Sequence, residues 1–265
     1  MNFVSFASGS GGNCSLLQTE TECVLIDAGI SLRRIRSGLE RRSLSPDRLS
    51  GILITHEHAD HTAGLAMLLK YYPSVRVFAP PVVAHALERT VTGAEGRIAP
   101  ITVGETLPLG RLAFTAFPTP HDTPESVGYV LESGGARFGF CTDTGCVTDA
   151  MLDSLSGCDA VVIEANHDPD MLRAGSYPPY LKRRILSDHG HLSNAECANF
   201  ACALAKSGVH SVILGHLSRE NNRPSLAGNT VREALDGEGF SDVDLRVAPA
   251  DGDLELEVVP CCVYN

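Results

Sequence analysis

The stretch Thr55-His56-Glu57-His58-Ala59-Asp60-His61 constrains this chain more than any other, because it follows the apolar run Gly51 to Thr55 and leads into an amphipathic pattern from His61 to Tyr72. A strand must therefore end, and a helix begin, inside one histidine-rich segment. In extended chain, residues two apart point the same way, so His56 and His58 converge on one point. The turn into the helix then swings Asp60 and His61 toward a neighbouring point. Imidazole and carboxylate are ligands that suit zinc, manganese and iron. Three histidines and an aspartate within six residues at a strand terminus match metal-site spacing better than they match a solvated surface cluster.

The rest of the chain alternates in a compatible way. Short β-rich runs at Asn2 to Phe6, Ser15 to Gln18 and Glu22 to Asp27 are broken by the Gly/Ser stretch Ser8 to Asn13. Leu32, Ile35 and Leu39 then mark an amphipathic helix, and a strand at Val75 to Phe78 feeds a helix from Pro81 to Thr92. Strands are expected near Arg111 to Phe117, Val127 to Leu131, Phe138 to Thr142, Ala160 to Glu164, Ser211 to Leu214, Leu245 to Val247 and Leu254 to Val258. Helices are expected near Val147 to Leu155, Asn194 to Ala205 and Leu226 to Leu235. Both halves mix strands with helices and no Pro/Gly/Ser linker separates them, so residues 1–265 read as one α/β domain. Two sheets stacked face to face, with helices on the outer faces, would bury these strands.

Further ligand types fall at strand ends. Asp143 follows Phe138 to Cys141, His216 follows Val212 to Gly215, and His121 lies in the loop Pro118-Thr119-Pro120-His121-Asp122. A carboxylate between two cations can bridge them, which makes Asp143 the natural shared ligand. The nine cysteines, Cys261 and Cys262 among them, form no Cys-x-x-Cys pair and lie in apolar stretches, so they read as reduced, small hydrophobes.

Composition narrows the partners. With no run of about 18 apolar residues, no membrane span is expected. The opening Met1-Asn2-Phe3-Val4-Ser5 lacks a basic flank and an apolar region, so no signal peptide is expected and the cytoplasm is the expected compartment. The formal net charge is −11, which opposes diffuse binding to nucleic acid. Of the 21 basic residues only Lys70, Lys182 and Lys206 are lysines and the other 18 are arginines. Arginine suits bidentate phosphate contacts, and a base-composition bias of the source genome gives the same count.

Taken in order, Leu25-Ile26-Asp27-Ala28-Gly29, Thr55 to His61, His121, Thr142-Asp143-Thr144-Gly145 and Leu214-Gly215-His216 resemble the five motifs of the metallo-β-lactamase superfamily. Ser8-Gly9-Ser10-Gly11-Gly12-Asn13-Cys14, Glu164-Ala165-Asn166-His167-Asp168, Gly190-His191-Leu192-Ser193-Asn194 and His216 to Asn222 are similar to the YycJ/WalJ branch, associated with 5′-to-3′ DNA exonuclease activity. The resemblance implies a four-layer αββα sandwich binding two divalent ions, zinc or manganese, with iron also compatible. It implies that His56, His58 and His121 take one ion, that Asp60, His61 and His216 take the other, and that Asp143 bridges them. Asp27 would orient a ligand histidine. A hydroxide held between the ions would be the nucleophile, with Asp60 part of the catalytic centre. Glu164 and His191 occupy the places of a proton shuttle for the leaving oxygen. His191 reads equally as a neighbour of a helix capped by Ser193 or Asn194. His167 either lines the cleft or orients a ligand. His189 is a further cleft candidate, whereas His85 and His210 read as bystanders.

Phosphate contacts have two candidate segments. Ser8 to Asn13, with Ser10 and Asn13, reads as a tight turn or as an anion-binding nest. Ser218-Arg219-Glu220-Asn221-Asn222-Arg223 follows His216, which places Ser218, Arg219 and Asn222 near substrate. Lys182-Arg183-Arg184 and the Arg33 to Arg42 helix read as solvated faces or as a track for a nucleic-acid backbone. The expected activity is thus hydrolysis of a phosphodiester in DNA. A small-molecule ester hydrolase, acting on a cyclic phosphodiester or a lactone, and a non-catalytic metal-binding module are the alternatives. A di-iron oxidoreductase is disfavoured because both His56 and His58 are present.

Overall fold

The computed structural model describes residues 1–260, which places Cys261 and Cys262 outside the described residues. In the first half, strands β1 (Asn2–Ala7), β2 (Cys14–Gln18), β3 (Cys23–Ile26), β4 (Gly51–Leu53), β5 (Val77–Ala79) and β6 (Ile98–Pro100) form one sheet. Helices α1 (Leu32–Glu40), α2 (Ala59–Thr62), α3 (Leu65–Tyr71) and α4 (Pro81–Thr90) belong to this half. The second half contributes β7 (Thr106–Leu109), β8 (Leu112–Pro118), β9 (Val127–Ser133), β10 (Ala136–Cys141), β11 (Ala160–Glu164), β12 (Ser211–Gly215) and β13 (Asp244–Val247). Its helices are α5 (Asp149–Leu155), α6 (Pro169–Ala174), α7 (Pro179–Ile185), α8 (Asn194–Lys206) and α9 (Pro224–Gly237). The last strand, β14 (Leu254–Glu257), returns to the first sheet and pairs with β1.

Three apolar clusters separate four layers. Between the sheets lie Phe3, Ile26, Leu53, Phe114, Tyr129, Phe138 and Ile213, with the Phe3 and Phe138 rings stacked 4.7 Å apart. One outer cluster packs Ile35, Leu39, Leu65, Leu68 and Val83 of α1, α3 and α4 on the first sheet. The other packs Met151, Phe200, Leu204 and Val231 of α5, α8 and α9 on the second. This is an αββα sandwich, with most strands buried on both faces, which is why they read as continuous apolar runs rather than alternating ones. The described cysteines are free, and apart from the half-buried Cys146 they are buried. Among the described residues, no helix is long and apolar enough to cross a membrane.

Strands β3 to β6 are mutually parallel, as are β10 to β13. Strand β8 runs the same way as β10, since β9 is antiparallel to both. The carboxyl ends of β3, β4, β8, β10, β11 and β12 therefore share an edge, where open α/β sheets place their ligands.

The expected helix from His61 to Tyr72 is two helices. The Gly64 N–H bonds to the Ala28 carbonyl at 2.7 Å, and a side chain there would stand 2.1 Å from the Ile30 carbonyl, so the chain breaks at Ala63-Gly64 to pass the β3 to α1 loop. Strands β6 and β7 were not expected from the pattern. One is three residues long, and the other is an edge strand carrying Pro108, a residue tolerated mainly at sheet edges. Helices α6 and α7 are also additions. Each is short and begins with a proline in its first turn, where the missing N–H costs nothing.

Candidate metal centre

Among the described residues, three of the four non-glycine residues with positive φ stand just past strands at this edge: Asp27 (φ 60°), Asp143 (φ 58°) and His216 (φ 55°). Such left-handed conformations cost energy in L-residues and persist where the surroundings hold them, commonly at functional sites. Here they turn the chain sharply off β3, β10 and β12 and aim three ionisable side chains into one space. Gly29 lets the β3 to α1 loop close on that space. A side chain at Gly29 would stand 1.6 Å from the Asp60 carbonyl.

Most of the site histidines have one ring nitrogen engaged by a nearby group. His56 Nδ1 contacts Thr55 Oγ1 at 3.0 Å, and His61 Nδ1 contacts Asp27 Oδ2 at 2.7 Å. His121 Nδ1 faces the Gly190 carbonyl at 3.1 Å, and His216 Nδ1 faces Glu164 Oε1 at 2.7 Å. His58 is turned the other way, with Nδ1 3.0 Å from His56 Nε2 and Nε2 3.8 Å from Asp122 Oδ1. Among the described residues, potential ligand atoms converge in four groups, of which two share no residue with each other. One joins His56, His58 and His121, the other joins Asp60, His61 and His216, and in each the potential ligand atoms lie within 4.8 Å of one another. Asp143 stands between them, 3.4 Å from His61 Nε2 and 3.8 Å from His121 Nε2.

His216 Nε2 and Asp143 Oδ2 are buried and have no hydrogen-bond partner, although buried polar atoms normally have one. Divalent cations would satisfy both, and the nitrogen and oxygen donors suit zinc, manganese or iron. The donor set therefore fits divalent metal ions.

The electrostatics of the two groups differ. Burial, with His61 and His121 nearby, pushes the His56 imidazole well below its usual pKa, and burial lowers His121 as well. Burial also opposes protonation of His61, but the Asp27 and Asp143 carboxylates overcome it and lift its pKa to about 10. His216 is likewise raised well above the usual value against burial, by Asp143, Asp60 and Glu164. Burial opposes ionisation of Asp60, yet His216 and His61 hold its carboxyl far below the usual range.

Glu164 is fully buried at the end of β11. Its Oε1 lies 2.7 Å from His216 Nδ1 and 2.8 Å from His191 Nδ1, while Oε2 accepts from the Thr144 and Leu192 N–H groups at 3.0 and 3.2 Å. With no exposed surface, it contacts two imidazole rings and two backbone N–H groups. His191 is 20% exposed. Burial is again opposed, here by Glu164, so the His191 pKa is raised.

The expected phosphate contacts divide. Asn13 is buried, its Oδ1 accepting from the Gly9 N–H at 2.8 Å while its backbone N–H bonds to the Asp60 carbonyl at 2.7 Å. The Asn222 amide is spent on the Ala165 carbonyl and on Asn194, and the buried Ser218 hydroxyl accepts from the Asn221 N–H. The Asn222 and Ser218 side chains brace the loops, correcting the expectation that they meet substrate, whereas the Asn13 amide nitrogen lies 3.0 Å from His61 Nε2 and 3.4 Å from Asp60 Oδ2, at the metal centre. Ser10 is exposed, and Arg219 lies over Gly11 while pairing with Asp251. Neither His167 ring nitrogen has a hydrogen-bond partner, so it orients no ligand, correcting that alternative too. Thr55, Asp122 and Gly190 were not singled out from sequence. A threonine beside the first histidine and an aspartate beside His121 are the only signals that could have pointed to them.

A family description, the beta-lactamase superfamily domain, matches residues 22–217. YycJ of Bacillus anthracis, named an exodeoxyribonuclease, is 35% identical over 245 residues, covering 91% of each chain. This chain belongs to the YycJ/WalJ branch of the metallo-β-lactamase superfamily. The exodeoxyribonuclease WalJ of Streptococcus pneumoniae serotype 2 is 37% identical over 86% of each chain. Zinc-bound PqqB from Methylobacterium extorquens shares the fold, with a TM-score of 0.74 over 97% of this chain and all of that one, at 20% identity. The chain is accordingly a metal-dependent hydrolase.

Proposed function

We propose that this hydrolase is a dinuclear phosphodiesterase that degrades DNA from an end, 5′ to 3′. The observation that carries the proposal is the pair of ligand groups meeting at Asp143, with His191 Nδ1 3.8 Å from its Oδ1, in a chain 35% and 37% identical to relatives named exodeoxyribonucleases. Two divalent ions bound there would supply Lewis acidity toward the phosphoryl oxygens and an activated water for in-line attack.

The chain's own residues do the rest. Thr55, Asp27, Gly190 and Glu164 fix the rings of His56, His61, His121 and His216, so that little reorganisation accompanies the reaction. The Nδ1 of His191 is taken by Glu164, which leaves the Nε2 proton for the departing sugar oxygen.

One observation favours the small-ester reading. Arg34, Arg41, Arg42 and Arg219 pair with Asp251, Asp253 and Glu255, which removes much of the arginine excess from any role in gripping DNA. The test is parallel loading of the purified protein with zinc and with manganese. Linear duplex DNA with and without a 5′ phosphate, single-stranded RNA and bis(p-nitrophenyl) phosphate are then offered. The proposal predicts loss of DNA ends in wild type and none in Asp60→Ala or His58→Ala. Intact DNA under both metals, with the small ester turned over, would establish the other reading.

A further inference from the structure

Helix α7 and the loop after it form a wall of the metal centre. The Gly190 carbonyl faces His121 Nδ1 at 3.1 Å, and Arg184 pairs with Asp122, whose other oxygen lies 3.2 Å from His121 Nε2. The helix buries Ile185 and half-buries Leu181 and Lys182, so its opposite face carries Tyr180, Arg183 and Arg184. Tyr180 is three and four residues before the arginines, which makes the three side chains neighbours on that face. Tyr180 is 67% exposed, an unusual state for a large aromatic with no partner to cover it.

Arg41 and Arg42, just past α1, are tied to carboxylates, whereas Arg183, like Arg33 of α1, has no side-chain partner among the described residues. Lys182 spends its ammonium on the Arg173 and Gly175 carbonyls, both at 2.7 Å, so its positive charge is not cancelled. The opposing charges close by are Asp122, Asp170 and Asp188, of which Asp122 and Asp170 already face Arg184 and Arg173.

We propose that the exposed face of α7 is a docking strip for one polynucleotide strand, with Tyr180 stacking on a base and Arg183 contacting the backbone as the strand leaves the metal centre. The inference rests on the phosphodiesterase reading above and deepens it. An exposed aromatic beside unpaired cations is the usual make-up of a single-strand platform. One helical turn, about 5.4 Å, separates Tyr180 from Arg184 at the mouth, which corresponds to roughly one to two nucleotides at a 3.4 Å rise. The strip therefore reads the nucleotide next to the scissile one, and a substrate with no flanking nucleotide cannot use it.

The test compares wild type with Tyr180→Ala, Tyr180→Phe and Arg183→Ala on a 5′-phosphorylated oligonucleotide and on bis(p-nitrophenyl) phosphate. Tyr180→Ala is expected to raise KM for the oligonucleotide roughly 5- to 100-fold, and Tyr180→Phe to restore it. Arg183→Ala is expected to lower the slope of log affinity against log salt by about 0.7. Turnover of the small ester stays unchanged in all three. Equal KM values and salt slopes across the set would overturn the docking strip while leaving the nuclease reading intact. Fluorescence anisotropy of a labelled single strand on the metal-free proteins decides the matter even if wild type cleaves no DNA. Binding by wild type that Tyr180→Ala weakens and Tyr180→Phe keeps supports the strip, and equal binding or none overturns it.

Discussion

Asp27→Asn isolates the role of a single buried carboxylate. Asparagine tolerates the left-handed backbone that Asp27 adopts at φ 60°, so the substitution keeps the turn off β3. Asp27 Oδ1 accepts from the Thr55 N–H at 2.9 Å, and Oδ2 faces His61 Nδ1 at 2.7 Å. An amide has one accepting atom, so it can accept from only one of these donors. If its nitrogen turns to His61, it donates to Nδ1 and forces the proton onto Nε2, the atom that faces Asp60 and Asp143. If its nitrogen turns to Thr55 instead, two buried donors meet and the clash costs about 1–3 kcal/mol. At about 1.4 kcal/mol per factor of ten, the ion held by Asp60, His61 and His216 should bind roughly 5- to 150-fold more weakly. That range overlaps the 10- to 100-fold typical of lost outer-shell partners. Competition against a chromogenic zinc chelator at pH 7.5 measures the loss directly, with circular dichroism confirming the fold. A correctly folded Asp27→Asn protein that binds both ions within threefold of wild type would refute the claim that Asp27 sets the tautomer of His61.

The two ligand groups should also respond differently to pH. His56 and His121 are held neutral, whereas His61 keeps its proton up to about pH 10, so an ion entering beside His61 must displace it. Because His216 is raised as well, chelator competition between pH 6.5 and 8.5 should show the affinity of one ion rising about tenfold or more per pH unit and the other changing little; equal slopes would contradict this. Because the folded pKa of His61 is raised, its contribution to the metal-free fold is full below about pH 6.5 and fades toward about pH 10, so thermal melts should fall over that window. His191→Ala should slow DNA hydrolysis by about 10²- to 10⁴-fold yet spare p-nitrophenyl esters, whose leaving group needs no proton, and equal loss on both would remove its role as the acid. Gly29→Ala should cost about 3 kcal/mol or more, because the added carbon meets the Asp60 carbonyl rather than a yielding side chain, and a melt unchanged within 2 °C would contradict that placement.

The ligand segment was legible because its spacing is local. His56, His58, Asp60 and His61 lie at a strand end, where extended and helical periodicities alone fix their directions. Asp143 and His216 were legible as residue types after apolar runs and Asp27 only through the family resemblance, and the left-handed backbone of all three left no mark in the sequence. Asn222 misled for a physical reason: a polar side chain in a loop near a site looks the same whether it serves substrate or, as here, satisfies buried backbone groups. Gly190 and Asp122 escaped notice since their contacts with His121 depend on how α7 folds back, through contacts distant in the chain. Helix α7 itself is too short for its apolar period to show, and its prolines resemble those of a loop.

The central claim is that two ions held by these side chains make a nuclease. Release of mononucleotides from linear duplex DNA, measured as zinc or manganese is titrated per chain, tests it most directly. The account predicts little release with one ion per chain and a plateau at two. A plateau at one ion, or no release at two, would contradict it.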